Sequence, residues 1–509
     1  MKRLSLSTAG ALLPTYLQAQ GSSPAIGIVH LGPGAFFRGH QAFYTDAAMA
    51  KAGGNWRICA VSMRSKDVAE ALNPQDGLYA LAQMEQDTQL SLIGSIAEVL
   101  VAPVDYAKVQ ARLTSASCKY VTMTITEKGY CLNNSGALDL NHADIAADLQ
   151  LPDAVSQAKS AIGLLTQALW LRHRAGLPLL TLMSCDNLTD NGHKLKAAVR
   201  VFAANAAVFA KDVDFLLHLT ELICPCSMVD SITPATDDAL RDLVATRLGL
   251  QDAWPVKREA FCQWVVEDIL PADQPAWRDV GVIFTKDVTA FEKAKLRLLN
   301  APHSTLAYLG SLLGTYTDLQ TVFDAMAQPQ LSQLVQQLVE TEILPAVPLV
   351  DGLDLAQYSA DIFRRFENPS VRHLLAQIAW DGSQKLQMRL LPVIRDNLAA
   401  GRSVRLLALA IASWLQFIRL RASQAVTLGP QAPALVDPLA PLLLATAAQC
   451  TGDARTDVPL WLALDTIFSA DLVNQTAFVS ALWQAYQQLS PVLAGAKADL
   501  SQFLSGVNA

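Results

Sequence analysis

The chain has 509 residues, 51% of them hydrophobic and 17% charged, with a formal net charge of −7. A length of this order exceeds what one core sustains, so two domains are expected, and so apolar a composition excludes a disordered chain. The acidic balance leaves no basic patch, which argues against a nucleic-acid partner.

Taken in chain order, Lys2-Arg3 and the stretch from Leu4 to Leu13 loosely imitate a signal peptide. Ser5, Ser7, Thr8 and Gly10 dilute the apolar run and no clean small-x-small cleavage site follows, so a cytoplasmic protein is expected. Residues 26–31 form a short β-branched apolar run that ends in Gly32-Pro-Gly34, and a helical segment over 39–52 comes next. Strand, glycine turn and helix open a nucleotide-binding unit. Residues 56–62 predict a second strand, with Lys66 and Asp67 just past its end. In such a unit Asp67 accepts from the adenosine ribose hydroxyls, which favours NAD; Lys66 beside it is suited to a 2′-phosphate and leaves NADP open. Residues 119–125 and 178–183 predict a third and a fourth strand. Both run into polar residues, Thr126-Glu-Lys-Gly129 and Ser184-Cys-Asp-Asn187, where open parallel sheets bind their ligands.

Beyond about residue 286 periodicities near 3.6 take over, in 331–344, 371–378, 404–420 and 477–489, without a convincing strand. The fold expected is α/β: a Rossmann-type dinucleotide-binding domain over 1–286, then a mainly helical substrate and catalytic domain over 287–509. The Pro-rich stretch 430–441 reads as a surface loop. The apolar run 406–418 is too short to span a bilayer, and no membrane partner is expected. Eight scattered cysteines without a C-x-x-C pair read as reduced core residues, and no metal site is expected.

The run Phe291-Glu-Lys-Ala-Lys-Leu-Arg-Leu-Leu-Asn-Ala-Pro-His303 carries the chemistry. At about 100° per residue, Glu292, Lys295, Asn300 and His303 fall within an arc of roughly 140°, with the leucines mostly outside it. An amine that donates a proton, beside an amide that holds a developing alkoxide, is what carbonyl reduction needs. Asn191, beyond the fourth strand, would complete a two-amide clamp. Pro302 lacks an N–H and disfavours a helical Ala301, so a kink is expected between Asn300 and His303.

Several runs together carry a resemblance: Ile28-Val-His-Leu-Gly-Pro-Gly-Ala-Phe36 with Arg38 and His40-Gln41, Thr124-Ile-Thr-Glu-Lys-Gly-Tyr-Cys131, Met183-Ser-Cys-Asp-Asn187 with Asn191-Gly192, Met228-Val-Asp230, Gln263-Trp-Val-Val-Glu-Asp268, 295–303 and Asp381-Gly-Ser-Gln-Lys385. Over nearly its whole length the chain resembles the mannitol dehydrogenase family of polyol and sugar-acid dehydrogenases. The resemblance implies that Lys295 is the acid/base, that Asn191 and Asn300 polarise the substrate oxygen, that His303 positions the substrate, and that Glu292 passes the proton. Beside Gly32, Gly34, Lys66 and Asp67 of the glycine-turn unit, Phe36, Arg38 and Glu127 are expected at the cofactor, and the resemblance implies Asp230 and Lys385 at the substrate, without metal. Asn368-Pro-Ser-Val-Arg-His373 and the run 377–386 resemble the fructuronate-reducing branch. A substrate carboxylate would explain extra cations near the pocket, with Arg372 and Lys128 as candidates and Arg297 turned away. The expected reaction is the reversible NAD(P)-dependent reduction of fructuronate to D-mannonate; mannitol, arabinitol and tagaturonate are alternative substrates. Such an enzyme is expected to act as a monomer or weak oligomer. Phe37 and Ser231 depart from the family pattern, where His and Arg are usual.

Overall fold

The computed structural model describes residues 1–18, 23–85, 87–314, 319–494 and 500–504. The chain forms two compact units, Met1–Thr289 and Ala290–Ala509.

The first unit is built on a five-stranded parallel sheet. Its strands, here β1 to β5, are Ile26–Leu31, Arg57–Ser62, Ile96–Val101, Tyr120–Met123 and Thr181–Ser184. Their spatial order is β3-β2-β1-β4-β5. The order reverses between β1 and β4, which is where an open α/β sheet leaves a crevice for its ligand. Side chains alternate between the two faces, as a period of two requires. Val29, Leu31, Cys59, Val61 and Val121 enter one core, whereas Ile28, Ile58, Ala60 and Tyr120 enter the other. Continuous burial along β2 and β4 reflects a sheet covered on both sides.

Four of these strands correspond to the apolar runs read in the sequence; β3 was not read there. A short pair, Lys2–Arg3 with Leu250–Gln251, and two three-stranded sheets also escaped notice. One joins Val256–Glu259, Tyr79–Met84 and Gln89–Ile93. The other joins β6 (Ser227–Asp230), β7 (Gln263–Glu267) and β8 (Ile283–Thr285). The helix expected over 39–52 is two helices, Ala35–Gly39 and Gln41–Ala52. They break at His40, whose ring bonds the Gln263 carbonyl at 2.8 Å.

The second unit is helical, and no strand ladder occurs among its described residues. Only Leu375–Ile378 of the expected 371–378 helix is helical. The residues before it spend their backbone groups on a bridge: His373 accepts from Val322 N and Leu375 donates to the Gln320 carbonyl. The longest helix, Arg405–Leu428, is apolar and long enough to cross a membrane by length and composition, yet 72% of its apolar window is buried in the protein. Its N-terminus is capped by the buried carboxylate of Glu342, which accepts from Leu406 N at 3.0 Å and Leu407 N at 2.8 Å.

Candidate active site

Beyond β1 the chain turns sharply at Gly32, where φ is +92° and a β-carbon would lie 2.2 Å from the Thr124 carbonyl oxygen. Only glycine fits there. The turn is pinned from beneath by His30, whose Nε2 lies 3.2 Å from the Gly32 carbonyl and 3.0 Å from Thr124 Oγ1, while Nδ1 meets Thr122 Oγ1 at 2.8 Å. Burial pushes His30 down to about 3, so the ring is neutral. Phe37 stacks on that ring at 3.4 Å, so an aromatic in place of a histidine shields a buried imidazole. Gly34 has a φ of −69° and room for a β-carbon, so neither backbone nor packing demands glycine there. Phe36 is half-buried and stacks on His40 at 5.0 Å.

Arg38 stands apart from the other residues implied at the cofactor. It is 1% exposed, donates to the Trp254 carbonyl at 2.6 Å and lies over the rings of Trp254 and Tyr79. Burial lowers its pKa to about 10. A guanidinium packed against two rings and bonded to backbone braces the core.

Past β2, Asp67 is exposed as the first residue of a short helix, Asp67–Leu72, and Lys66 pairs with Glu70 at 2.8 Å. Glu127 and Lys128 are exposed on the turn Glu127–Tyr130 beyond β4, which starts after Thr126 at a φ of +65°. Asp186 holds that unusual backbone: its carboxylate accepts from Ile125 N at 3.0 Å, Thr126 N at 2.9 Å and the Tyr130 hydroxyl at 2.8 Å.

Asn191 opens helix α1, Asn191–Asn205, and is fully buried. Its Oδ1 accepts from Ser227 N at 2.9 Å, and its Nδ2 donates to the Ser227 carbonyl at 2.8 Å and the Asp186 carbonyl at 3.2 Å. The side chain therefore brackets the end of β5 to the start of β6, with both N–H groups engaged. Gly192 is required beside it, because a β-carbon would fall 2.4 Å from the Cys224 carbonyl oxygen. Asp230 ends β6, 5% exposed, opposite Gln263 of β7.

In the second unit, the run read as one α-helix has a different winding. Helix α2, Val288–Lys295, passes into a π-turn, Leu296–Asn300, and then into α3, Ala301–Leu313. The turn closes by Ala301 N donating to the Leu296 carbonyl, five residues back. Pro302 explains it: with no N–H to offer the preceding turn, it sits where the next helix begins. In an α-helix Lys295 and Asn300 would stand about 140° apart. A turn closed between residues five apart brings them much closer to one face. Proline thus widens the helix where a kink was expected. Lys295 is 9% and His303 6% exposed; Asn300 and Glu292 are half-buried.

His303 stacks on Phe366 at 4.4 Å and meets His373 edge-on at 5.4 Å. Burial, then the charges of His373, Arg365, Arg389 and Lys385, hold it well below its usual pKa. Lys385 donates to the Ile378 carbonyl at 3.1 Å and is pushed down to about 8 by burial and by Arg389. Arg389 donates to Ser304 Oγ at 3.1 Å and approaches the Asn300 carbonyl at 3.4 Å. Lys385 and Arg389 lie one turn apart on Gly382–Arg389. That helix starts from Asp381 at a φ of +54°, and the expected loop 430–441 ties it down: Asp437 accepts from Ser383 N at 2.8 Å and Ser383 Oγ at 2.6 Å. Arg365 and Arg389 were missed in the sequence, although the i, i+4 spacing from Lys385 pointed to Arg389. Arg372, by contrast, is exposed and its charge acts on the capping residue Asp324. Arg297 pairs with Asp396 at 2.6 Å.

Comparison with known proteins extends over both units. Residues 26–279 match the mannitol dehydrogenase Rossmann domain and 287–490 the mannitol dehydrogenase C-terminal domain. The D-mannonate oxidoreductase of Escherichia coli (strain K12) is 39% identical over 469 residues, 91% of this chain and 93% of that protein. A mannitol 2-dehydrogenase of Aspergillus fumigatus is 34% identical, with 94% of each chain covered. The solved Pseudomonas fluorescens mannitol 2-dehydrogenase, in ternary complex with NAD and D-mannitol, is 32% identical with a TM-score of 0.79, covering 99% of this chain and 100% of that one.

Proposed function

The chain belongs to the mannitol dehydrogenase family of oxidoreductases, and from that premise we propose that it reduces a keto-hexuronate, fructuronate to D-mannonate, reversibly with NAD. The observation that carries the substrate class is the group of cations around His303: Arg365, Lys385 and Arg389, with the imidazole of His373. So many positive groups about one neutral ring suit a substrate that brings a carboxylate. Support also comes from the E. coli D-mannonate oxidoreductase.

The residues beyond β1 and β2 fit a dinucleotide. A turn that excludes any β-carbon lets backbone approach a pyrophosphate, and exposed Asp67 can accept from ribose hydroxyls. The engagement of Lys66 by Glu70 favours NAD over NADP. When bound, the reduced cofactor supplies the hydride. Lys295 gives its ammonium proton to the oxygen of the ketone as the C–H bond forms, and as a neutral amine removes that proton in the oxidative direction. Asn300 donates to the same oxygen. Asn191 joins it by exchanging its longer bond, to the Asp186 carbonyl, while the bonds to Ser227 keep the amide aimed. Glu292 lies about one turn before Lys295 and relays the proton to water. His303, neutral, positions a substrate hydroxyl, and Asp230 and Lys385 bind the sugar acid. Phe36 and Glu127 are assigned to the cofactor, and exposed Lys128 to the substrate rim.

A cytoplasmic setting belongs to the same reading, since eight scattered cysteines without a C-x-x-C pair suit a reducing compartment, with the chain acting as a monomer or weak oligomer. A second reading, mannitol 2-dehydrogenase, is favoured by the likeness to the Pseudomonas enzyme over the full chain. NADH oxidation with fructuronate, tagaturonate and fructose separates the two. Turnover of fructose with none of fructuronate would reject the first.

A further inference from the structure

A cluster of three different ligand types lies at the mouth of helix α1, outside the residues assigned above. Cys226 Sγ lies 3.6 Å from Asp190 Oδ1 and 3.7 Å from His193 Nδ1, and those two atoms are 2.6 Å apart. The side chains of Asp190 and His193 are 51% and 62% exposed, forming an open rim, and Cys226, 7% exposed, forms the floor. The geometry points to a zinc-class divalent cation site made of Asp190, His193 and Cys226, with a fourth position left to water.

Bond lengths make the case quantitative. With Zn–S about 2.3 Å and Zn–N or Zn–O about 2.0–2.1 Å, a tetrahedral ion places its sulfur about 3.6 Å from each lighter ligand. Both sulfur distances already have that value. The nitrogen–oxygen edge must open from its hydrogen-bonded 2.6 Å to about 3.3 Å, a small rotation of an exposed carboxylate. On binding, the Cys226 thiol proton is released to solvent and the imidazole carries its remaining proton on Nε2, freeing the Nδ1 lone pair.

The backbone is set for this arrangement. Asp190 adopts a φ of +57°, a sparsely used conformation for a side-chain-bearing residue. Cys226 N donates to the Glu267 carboxylate at 2.9 Å, which fixes the thiol's attachment. Asp190 and Cys226 directly precede Asn191 and Ser227, the two residues of the bracket between β5 and β6. A bound ion would therefore cross-link the same two segments from the outside. The sequence alone hides the site, because its ligands are divided between a helix start and a strand start.

The test is equilibrium dialysis of the chelator-stripped full chain against micromolar Zn(II), with metal counted by mass spectrometry, and the absorption spectrum of the chain with Co(II). Binding of about one ion per chain is expected, with a thiolate-to-cobalt charge-transfer band. His193→Gln, at an exposed position, and Cys226→Ser should each weaken uptake about tenfold or more, whereas Cys450→Ser should leave it unchanged. Absence of stoichiometric uptake, a cobalt spectrum without the thiolate band, or equal uptake by His193→Gln would leave only a hydrogen-bonded cluster and overturn the proposal.

Discussion

Replacing Asn191 with alanine separates two roles of one amide. The side chain is fully buried and bonds both backbone groups of Ser227, at 2.9 Å and 2.8 Å. Truncation leaves that N–H and that carbonyl without partners, at about 1–3 kcal/mol each. Water entering the vacated volume relieves part of this, so about 2–4 kcal/mol of local stability should be lost. Hydrogen exchange of the peptide around Ser227 should accelerate about 30- to 700-fold, the same free energy read as an opening equilibrium. Asn300→Ala, at a half-buried position of the helical unit, should reduce turnover without that change. If exchange near Ser227 stays within threefold of the parent while Asn191→Ala abolishes turnover, the amide is purely a substrate ligand and the bracket carries no energy.

Gly32→Ala should raise the dissociation constant of NADH by more than about tenfold in a fluorescence titration, since φ is +92° and the new methyl would meet the Thr124 carbonyl; unchanged binding would separate this turn from the cofactor. Arg389→Met should lower kcat/KM on fructuronate about 10- to 100-fold, the value of a charge-assisted contact, and on fructose by less than about threefold; equal losses on both would remove the substrate carboxylate from the reasoning. Lys385 is pushed down to about 8, so it is a cation below that pH and neutral above it. KM for the hexuronate should therefore climb as pH rises through about 8 while KM for fructose stays flat, and parallel profiles would count against Lys385 as the carboxylate's partner.

The parallel sheet was legible because β1, β2, β4 and β5 are buried on both faces and so appear as continuous apolar runs. β3 was not, since Ile96–Val101 carries Glu98 among partly buried positions and lacks that continuity. The residues of the candidate site were legible as types and not as environments. Arg38 is implied at the cofactor by its place in the glycine motif, whereas its packing against Tyr79 and Trp254 is that of a brace. Asn191 reads as a free amide until strand β6, far along the chain, supplies its partners. The π-turn was hidden by the assumption of 3.6 residues per turn, although Pro302 marked the place. Arg365 and Arg389 come to His303 from separate helices, and local spacing points only to Arg389, one turn from Lys385.

The proton-transfer assignment is tested most directly by comparing Lys295→Ala with the parent enzyme in single-turnover NADH oxidation on the preferred ketone, with NADH binding measured alongside. Loss of a general acid should slow hydride transfer by about 10²- to 10⁴-fold and leave the NADH dissociation constant within about threefold, since Lys295 belongs to the helical run rather than to the glycine turn. A Lys295→Ala enzyme that turns over within a few-fold of the parent would contradict the mechanism at its root.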